Sequence, residues 1–581
     1  MNNQFIIKDG FYSSKNQNND IEKYGFYIDK NEYVFPEKIK NDYKEIHKSN
    51  FILMNEYLLQ SKTKPQRIIK IINTEKYEIE FDISSKELAS VYGFKGIIEG
   101  KGNFVFEGNQ RDLDKIKRMI FKNAKNAKEI QQLGFNNEFN IYSFSNGIYL
   151  IDNDKFLKIN DLGIVKTDKR NYYIPALSSI NIDSNEFENY KKFIFIKGPV
   201  NFNKWSKLFC SVYKPNGEIS ICYLIASLFR DIIYKELSCF PHLFYFGPPE
   251  TGKSMCYESI LSFFGKRQKP IGLENGSTAV ASFRKLDQFK NAIIVLNEYK
   301  NSIDKKLIGM IKSAYDGDGR ETGNYSNDNK TNTTKIGSGI IIAGQELPTQ
   351  ETAMFTRMIL QSFYKTEWSN DEKTQYNNLK TIESNGLTQI IIEIIKHRAY
   401  FQNNFSELFK STSKELKKIF KYKKISDRSI NNVSILLSVY NILNKKLDFP
   451  FNYNDLLKKV TELIEIQINI LDENTEVTIF WEAIQYLFSN HKLTNEKDYI
   501  FKVENNKEII YISISQIYPN YVDYCSKINK TSIAKDTLIR YLKKTLFFFI
   551  DKNIRIGFRT PWMYGFYYSD LKEKYDFKNN I

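Results

Sequence analysis

Cysteine and histidine are scarce in this sequence, with five and four residues among 581. None of the cysteines stands in the C-x-x-C spacing that is typical of zinc sites and redox motifs. With so few ligands available, we expect neither a structural zinc site nor a disulfide framework.

Proline and glycine are also few, with 13 and 27 residues. The sequence has no internal repeat and no long Pro- or Ser-rich linker, so domain boundaries have to be inferred from changes in hydrophobic pattern. No stretch reaches about 18 apolar residues, and the amino terminus lacks a basic segment followed by a long apolar one. We therefore expect a soluble, cytoplasmic protein that does not enter a membrane.

The chain does contain enough apolar residues for several cores, with 42% hydrophobic and 15% aromatic residues. Its length is typical of about three to five domains. The 84 lysines and arginines exceed the 68 acidic residues, which gives a net charge of +16. That excess is modest for this length, and it favours a polyanionic partner.

The most informative motif is a phosphate loop of the form G-x-x-x-x-G-K-S, which follows the apolar run 242–246 and precedes the helix-like segment 255–264. Its backbone N–H groups and the next helix N-terminus form an anion cradle. The lysine reaches the outer phosphates and the serine hydroxyl ligates magnesium. The sequence therefore predicts binding of a nucleoside triphosphate with Mg²⁺. The predicted binding residues are Gly247, Pro248, Pro249, Glu250, Thr251, Gly252, Lys253 and Ser254.

A second nucleotide motif follows the apolar run 292–296, which has the pattern of a buried parallel strand. In phosphate-loop ATPases such a strand presents an acid to the magnesium shell, and the next Glu polarises the attacking water. Glu298 takes that second position and is the candidate catalytic residue. Asn297 stands where Asp is usual, and we expect it to contact magnesium through water. A neutral amide there still permits nucleotide binding, but it makes hydrolysis a weaker expectation.

Two further residues complete the candidate catalytic set. Gln345 follows the apolar run 339–343 and could orient the water or sense the γ-phosphate. Arg357 precedes the apolar segment 358–360 and could reach the γ-phosphate of a neighbouring subunit as an arginine finger. The alternatives are an ordinary strand exit for Gln345 and an ion-paired surface arginine for Arg357.

A β-hairpin is predicted just before this third strand, because two arms, 321–325 and 331–336, flank the turn-rich segment 326–330. Lys330 lies at its tip and Lys335 on its return arm, where both could contact phosphate. A surface hairpin without a ligand is the alternative.

In this order, the motifs GPPETGKS, IIVLNEY, SGIIIAGQELPT and AMFTR resemble those of the superfamily-3-like AAA+ helicases, found in primase-helicases of phages, plasmids and integrative elements. The likeness covers residues 240–365, with a weaker one at 145–179. It implies a hexameric ring with ATP between subunits and a pore hairpin that moves single-stranded DNA. In this chain it implies Lys253 and Ser254 on phosphate and Mg²⁺, Glu298 as catalytic acid, Gln345 as sensor, Arg357 as finger and Lys330 near DNA. Since residues 1–200 contain no evident primase, we expect a helicase with any primase supplied separately.

Near the carboxyl end, two helix-like segments, 515–528 and 532–545, precede an alternating ribbon at 546–568. Helix, turn, helix and ribbon is the order of a winged helix. A basic surface or a protein-contact domain is the alternative. The residues on the second helix that suit DNA phosphates are Lys535, Arg540, Lys543 and Lys544.

Together these observations predict a multidomain α/β protein with a P-loop AAA+-like core. The predicted regions are an α+β region at 1–200, a helical layer at 201–240, the ATPase core at 241–370, a helical region at 371–495 and a winged-helix-like DNA-binding domain at 496–581. The predicted function is an ATP-dependent DNA helicase or translocase that serves replication of a mobile genetic element and also binds duplex DNA. The alternatives are a regulatory or immunity-type ATPase switch and a non-hydrolysing DNA-binding scaffold that holds nucleotide.

Overall fold

The computed structural model describes residues 5–40, 42–61, 65–122, 124–274, 279–323, 331–348, 352–365, 368–423, 425–473, 476–504, 507–543, 545, 547–556 and 559–575. The chain forms two compact units. The first contains Met1–Glu346, Arg357–Lys421 and Asn431–Leu457, and the second contains Leu347–Thr356, Tyr422–Ile430 and Lys458–Ile581. Across these described ranges, no helix has the length and apolar character needed to cross a membrane.

The first part of unit 1 contains a three-stranded antiparallel sheet, β3-β4-β5, and most of a six-stranded sheet in the order β14-β15-β9-β6-β7-β8. Its elements are β1 (Phe5–Lys8), β2 (Phe11–Ser14), α1 (Gln17–Tyr24), β3 (Tyr27–Asp29), β4 (Glu32–Ile39), β5 (Asp42–His47), β6 (Phe51–Gln60), β7 (Gln66–Asn73), β8 (Glu78–Ser84), α2 (Val91–Glu99), α3 (Gln110–Phe121) and β9 (Lys125–Glu129). Helix α3 begins with a capping box between Asn109 and Asp112, and its buried face carries Leu113 and Ile116 into an aromatic core.

A second, larger sheet of unit 1 holds the phosphate-loop strand. Its elements are β10 (Leu133–Asn136), β11 (Ile141–Phe144), β12 (Gly147–Leu150), β13 (Lys155–Lys158), β16 (His242–Phe246), β17 (Ile271–Gly272), β18 (Phe289–Tyr299), β21 (Gly337–Gly344) and β22 (Met358–Ser362). Strands β14 (Ile164–Lys166) and β15 (Asn171–Tyr173) belong to the six-stranded sheet. The order is β13-β12-β11-β10-β18-β21-β16-β22, with β17 beside the carboxyl half of β18.

The five strands β17, β18, β21, β16 and β22 run parallel. Strands β16, β18 and β21 are apolar and buried along almost their whole length, as parallel strands covered on both faces require. The helices and the hairpin of this region are α4 (Phe202–Tyr213), α5 (Pro215–Leu228), α6 (Arg230–Leu237), α7 (Lys253–Leu261), α8 (Ala279–Leu286), α9 (Lys305–Tyr315), β19 (Asp318–Gly323) and β20 (Thr331–Lys335). The short helix α10 (Thr352–Phe355) belongs to unit 2. These elements confirm the mixed α/β class.

The meander β10–β13 joins this sheet, whereas the sequence interpretation placed its residues in the separate region 1–200. Strand β10 pairs with the amino end of β18 through Leu133 with Phe289 and Gly134 with Lys290. Gly134 has a φ of 91°, and a Cβ there would lie 1.9 Å from the Lys290 carbonyl oxygen. Only glycine permits this close approach. Because β10 precedes residue 200 and β18 follows it, the sheet crosses the predicted boundary at residue 200.

The rest of the chain is mainly helical and ends in a small antiparallel sheet of order β23-β24-β26-β25 within unit 2. Its elements are α11 (Asn370–Ser384), α12 (Thr388–Ile395), α13 (Arg398–Ile419), α14 (Asp427–Leu443), α15 (Tyr453–Glu473), α16 (Glu476–Ser489), β23 (Tyr499–Glu504), β24 (Lys507–Ile512), α17 (Ile514–Lys527), α18 (Lys535–Leu542), β25 (Phe548–Asn553), β26 (Trp562–Tyr567) and α19 (Tyr568–Tyr575). Helices α16, α17 and α18 share one core with this sheet around the buried Trp481.

Candidate nucleotide-binding site

A cavity of about 600 Å³ lies at the carboxyl ends of β16, β18 and β21. Ligands of open parallel sheets bind at this edge, because the loops that follow the strands converge there. Its lining is formed by 249–255 of the phosphate loop, Glu274, 297–300 after β18, and 343–345 after β21. Of the predicted site residues, the cavity therefore brings together most of the phosphate loop with Asn297, Glu298 and Gln345.

The phosphate loop turns sharply between β16 and α7. Gly247 has a φ of 156°, and a Cβ there would lie 2.2 Å from the Phe363 carbonyl oxygen. Gly252 has a φ of 88° and immediately precedes α7, which begins at Lys253 instead of the predicted residue 255. The first N–H groups of a helix have no intrahelical acceptor, so this geometry provides donors for an anion at the loop.

The side chain of Lys253 folds back onto the loop. Its ammonium donates to the carbonyl oxygens of Gly247 at 2.6 Å and Pro248 at 2.5 Å. Burial lowers the pKa of Lys253. The ammonium thus has neutral oxygen partners here, and a phosphate would supply the opposite charge that favours its protonated form.

Ser254 is exposed at the second position of α7 and lines the cavity. Tyr257 follows three residues later on α7; burial raises the pKa of its hydroxyl, and the side chain of Ser254 partly offsets that rise. Tyr257 was not foreseen from the sequence. The i, i+3 spacing on a helix is the only signal that could have suggested it.

Glu298 sits at a β-bulge. The pairing of β18 with β21 passes from Leu296 and Ile342 to Tyr299 and Gly344, so two residues on β18 face one on β21. Glu298 has a φ of 62°, a left-handed backbone that costs a residue with a side chain about 1–3 kcal/mol. Bulges of this kind redirect a side chain, and here the exposed carboxylate lines the cavity.

Asn297 is held by the neighbouring strand β17. Its carbonyl oxygen accepts from the backbone N–H of Leu273 at 3.0 Å, and its Cα pairs with that of Gly272. Strand β18 extends to Tyr299, one residue beyond the predicted strand end at Asn297 and Glu298.

Gln345 is exposed directly after β21 and lines the cavity. The next residue, Glu346, accepts a hydrogen bond from the backbone N–H of Asn301 at 2.7 Å, which ties the loop after β21 to the loop after β18. An ion pair of Lys300 with Glu274 also lines the cavity. The hydrogen bond to Glu274 raises the pKa of Lys300. The sequence did not single out this pair, because its members are far apart in the chain.

Arg357 lies away from the other candidate residues. Its carbonyl oxygen accepts a hydrogen bond from the backbone N–H of His242, which is the first residue of β16. The phosphate loop begins after Phe246, the last residue of the same strand. Five residues of strand separate these points by roughly 15 Å. The Arg357 side chain is 17% exposed and contacts Asp316 at 3.3 Å. In this chain Arg357 therefore lies near the amino end of β16, opposite the end where the cavity is.

The candidate DNA-binding residues fall into two groups. Lys335 is the last residue of β20, the return arm of an antiparallel hairpin with β19, and Lys330 lies outside the described residues. In unit 2, Lys535 begins α18 and Lys543 follows its end, paired with Asp551 at 2.9 Å. Helix α18 begins later than the predicted residue 532. Arg540 is exposed on the same helix, and Lys544 lies outside the described residues.

Comparison with known proteins gives a fold but no family. No protein-family model matches the sequence, and no curated protein does. Among solved structures, the SCCmec type IV Cch active helicase matches with a TM-score of 0.57 at 13% identity, covering 94% of this chain and 98% of that one. The two chains thus share a fold.

Two other solved structures are more distant. The C-terminal region of NrS-1 matches with a TM-score of 0.24 at 11% identity, covering 80% of this chain and 96% of that one. Cdc6p from Pyrobaculum aerophilum has a TM-score of 0.17 at 11% identity, covering 59% and 88%. Both scores are too low to support an argument about this chain.

Proposed function

We propose that this chain is an ATP-dependent DNA helicase or translocase that serves replication of a mobile genetic element. One observation carries the proposal: the phosphate loop, Glu298 and Gln345 line a single cavity at the carboxyl ends of three parallel strands. The fold shared with an active helicase and the family resemblance of residues 240–365 support it. The resemblance is of the superfamily-3-like AAA+ type.

The residues of the cavity fit ATP with Mg²⁺. Its volume of about 600 Å³ lies within the range of roughly 300–1,000 Å³ that is usual for small-molecule sites. Lys253 and the loop N–H groups would hold the phosphates, and Ser254 would be a magnesium ligand, with Asn297 reached through water. A bound Mg²⁺ supplies charge neutralisation on the phosphate oxygens.

The exposed carboxylate of Glu298 is placed to accept a proton from, or orient, an attacking water at the cavity. The Gln345 amide would orient the same water from the end of β21. Arg357 would act on the cavity of a neighbouring subunit, since it lies near the amino end of β16, opposite the end where its own cavity is. This arrangement requires a neighbouring subunit, and we propose that the subunits form a hexameric ring.

Single-stranded DNA would be moved by the hairpin of β19 and β20, with Lys330 and Lys335 as phosphate contacts. Residues 496–581 would bind duplex DNA through Lys535, Arg540, Lys543 and Lys544 as a winged helix. The protein would act without a primase of its own, so a separate primase would provide that activity.

The decisive experiment compares DNA-stimulated ATP hydrolysis and strand displacement on a forked DNA. Lys253→Ala and Glu298→Gln should each abolish both activities, because they remove a phosphate contact and the catalytic carboxylate. Lys373→Ala, an exposed lysine on α11, serves as control and should match the wild type. Wild-type rates of ATP hydrolysis in both Lys253→Ala and Glu298→Gln would overturn the assignment of this cavity as the ATPase site.

A second candidate, a regulatory or immunity-type ATPase switch, is favoured by Asn297 alone. An amide in place of the usual Asp suits slow turnover, in which the bound nucleotide controls assembly or partner binding. Such a protein would hydrolyse ATP in a single-turnover experiment but would not separate strands. A scaffold that only holds nucleotide would do neither.

A further inference from the structure

The ribbon of β25 and β26 carries an unusually exposed tryptophan. Trp562, the first residue of β26, is 50% exposed, whereas Trp205 and Trp481 are fully buried. Its position in the pairing is opposite Asn553, at the end of the ribbon where the connecting loop begins. A large aromatic side chain at this place contributes little to the core.

The indole is held by its edge. Its Nε1–H donates to Oδ2 of Asp551 at 3.0 Å, and the ammonium of Lys543 lies 2.9 Å from the same oxygen. Lys543 thereby offsets the negative charge of Asp551. Within the described part of the chain, neither an aromatic ring nor a cation stacks on the indole of Trp562. The ring is oriented, but its faces are not used by the fold.

Two arginines follow at the same end of the ribbon. Arg555 and Arg559 belong to the loop that joins β25 to β26, and the backbones of Ile556 and Arg559 form a bridge within it. Both arginines are exposed. Neither has an ion-pair partner among the residues that the structure describes. An oriented aromatic ring beside cations is the composition of sites that bind single-stranded nucleic acid.

We propose that Trp562 stacks on an unpaired DNA base, while Arg555 and Arg559 contact the adjacent phosphates. Every base has a π face, so such a platform binds single strands with little regard to sequence. Asp551 acts as a positioning residue that fixes the indole through its N–H. This proposal depends on the proposed function in one respect, which is that the bound nucleic acid is DNA.

The charges around the ring favour nucleic acid over a protein partner. A hydrophobic docking surface would place several exposed apolar side chains around the tryptophan. On its face of the ribbon the neighbours are Asn553, Asp551 and Tyr564, and the ring of Tyr564 is buried with the Lys543 ammonium 5.6 Å from its centre. Because Lys543 offsets the charge of Asp551 and the exposed Arg555 and Arg559 follow, the face attracts an anionic backbone. A protein-contact surface at this face is the alternative that the affinity measurements below distinguish from base stacking.

Intrinsic fluorescence gives a direct test, because the sequence has only four tryptophans and two of them are buried. The full chain would be titrated with an unlabelled oligothymidylate in the absence of nucleotide. We expect quenching in the wild type and in Trp368→Phe, and its loss in Trp562→Phe. Equal quenching in Trp562→Phe, or no binding of the oligonucleotide by the wild type, would overturn the site.

Affinity measurements separate stacking from a structural role. Trp562→Ala should weaken single-strand binding about 5- to 100-fold, without changing the salt dependence or the binding of a blunt duplex. Trp562→Tyr should restore most of the affinity. Arg555→Gln should instead lower the slope of log K against log salt by about one. An equal loss on blunt duplex, or no rescue by tyrosine, would contradict stacking and favour a fold defect or a protein-contact surface.

The motor and the stacking site fail independently. Lys253→Ala should remove ATP hydrolysis but keep the fluorescence quenching, because the titration contains no nucleotide. Quenching that depends on Trp562 in a chain that never hydrolyses ATP would refute the motor and leave this site standing. Normal ATP hydrolysis, together with quenching that is the same in Trp562→Phe and the wild type, would refute the stacking site and leave the motor standing.

Discussion

The guanidinium of Arg357 contacts the carboxylate of Asp316 at 3.3 Å. Asp316 caps α9 and stands two residues before the hairpin of β19 and β20 begins. The candidate arginine finger and the root of the candidate DNA hairpin therefore share one contact. An arginine that turns toward a neighbour's phosphate has to release Asp316. Because Asp316 leads into β19, the release would change the contacts at the start of the hairpin.

Asp316→Asn should uncouple hydrolysis from DNA movement. The amide keeps the shape of the side chain but removes the charge that holds Arg357. Since the pair is partly exposed, we expect a stability loss of about 0.5–1 kcal/mol and a small shift in Tm. Basal ATP hydrolysis should persist, while strand displacement per ATP should fall severalfold. Unchanged displacement per ATP would show that the contact carries no signal.

Mixing two inactive proteins tests whether Arg357 acts between subunits. Arg357→Ala and Glu298→Gln should each lack ATP hydrolysis, but a one-to-one mixture creates sites with an intact Glu298 on one side and an intact Arg357 on the other. About a quarter of the interfaces in a randomly assembled ring would be of this kind. We expect hydrolysis to recover on mixing. No recovery in rings confirmed to be mixed would show that Arg357 does not act in trans.

Asn297→Asp should strengthen magnesium binding at the cavity. The carboxylate adds the negative charge that this position usually supplies in phosphate-loop ATPases. We expect turnover to rise about tenfold, which corresponds to roughly 1.4 kcal/mol, and the Mg²⁺ concentration for half-maximal rate to fall. Measuring hydrolysis against Mg²⁺ concentration checks both. Turnover and Mg²⁺ dependence equal to the wild type would mean that residue 297 does not influence the metal.

The stability of the protein should depend on pH through His242. Burial lowers the pKa of this imidazole from about 6.5 to about 4, and its Nε2–H donates a hydrogen bond to the Ile311 carbonyl oxygen at 2.8 Å. The unfolded chain gains a proton near pH 6.5, but the folded protein does so only near pH 4. The contribution of His242 to the free energy of unfolding is therefore complete above pH 6.5, and it falls by roughly 3 kcal/mol as the pH drops to 4.

Thermal unfolding between pH 7 and pH 4 measures this effect. His242→Leu should flatten the fall in Tm across this window. His491→Gln, which changes an exposed histidine, should leave the fall unchanged. A Tm profile for His242→Leu with the wild-type slope would contradict the assignment.

Local patterns predicted the parts of the site that are continuous in sequence. The phosphate loop and the strands before Asn297 and Gln345 follow from apolar runs that end in polar residues, and the structure has strands there. The left-handed backbone of Glu298 could not be foreseen, because it depends on the register of β18 against β21. The contact of Arg357 with Asp316 joins residues that are 41 positions apart, and no local signal specifies such a pair.

The meander β10–β13 has a practical consequence for dissecting this protein. It supplies the hydrogen-bonding neighbour for the amino end of β18, through the close approach at Gly134. A fragment that starts at residue 200 would expose this end of a buried strand as an open edge, and open edges recruit strands from other molecules. Fragments intended to isolate the ATPase should therefore begin before residue 133, since shorter ones would be expected to aggregate.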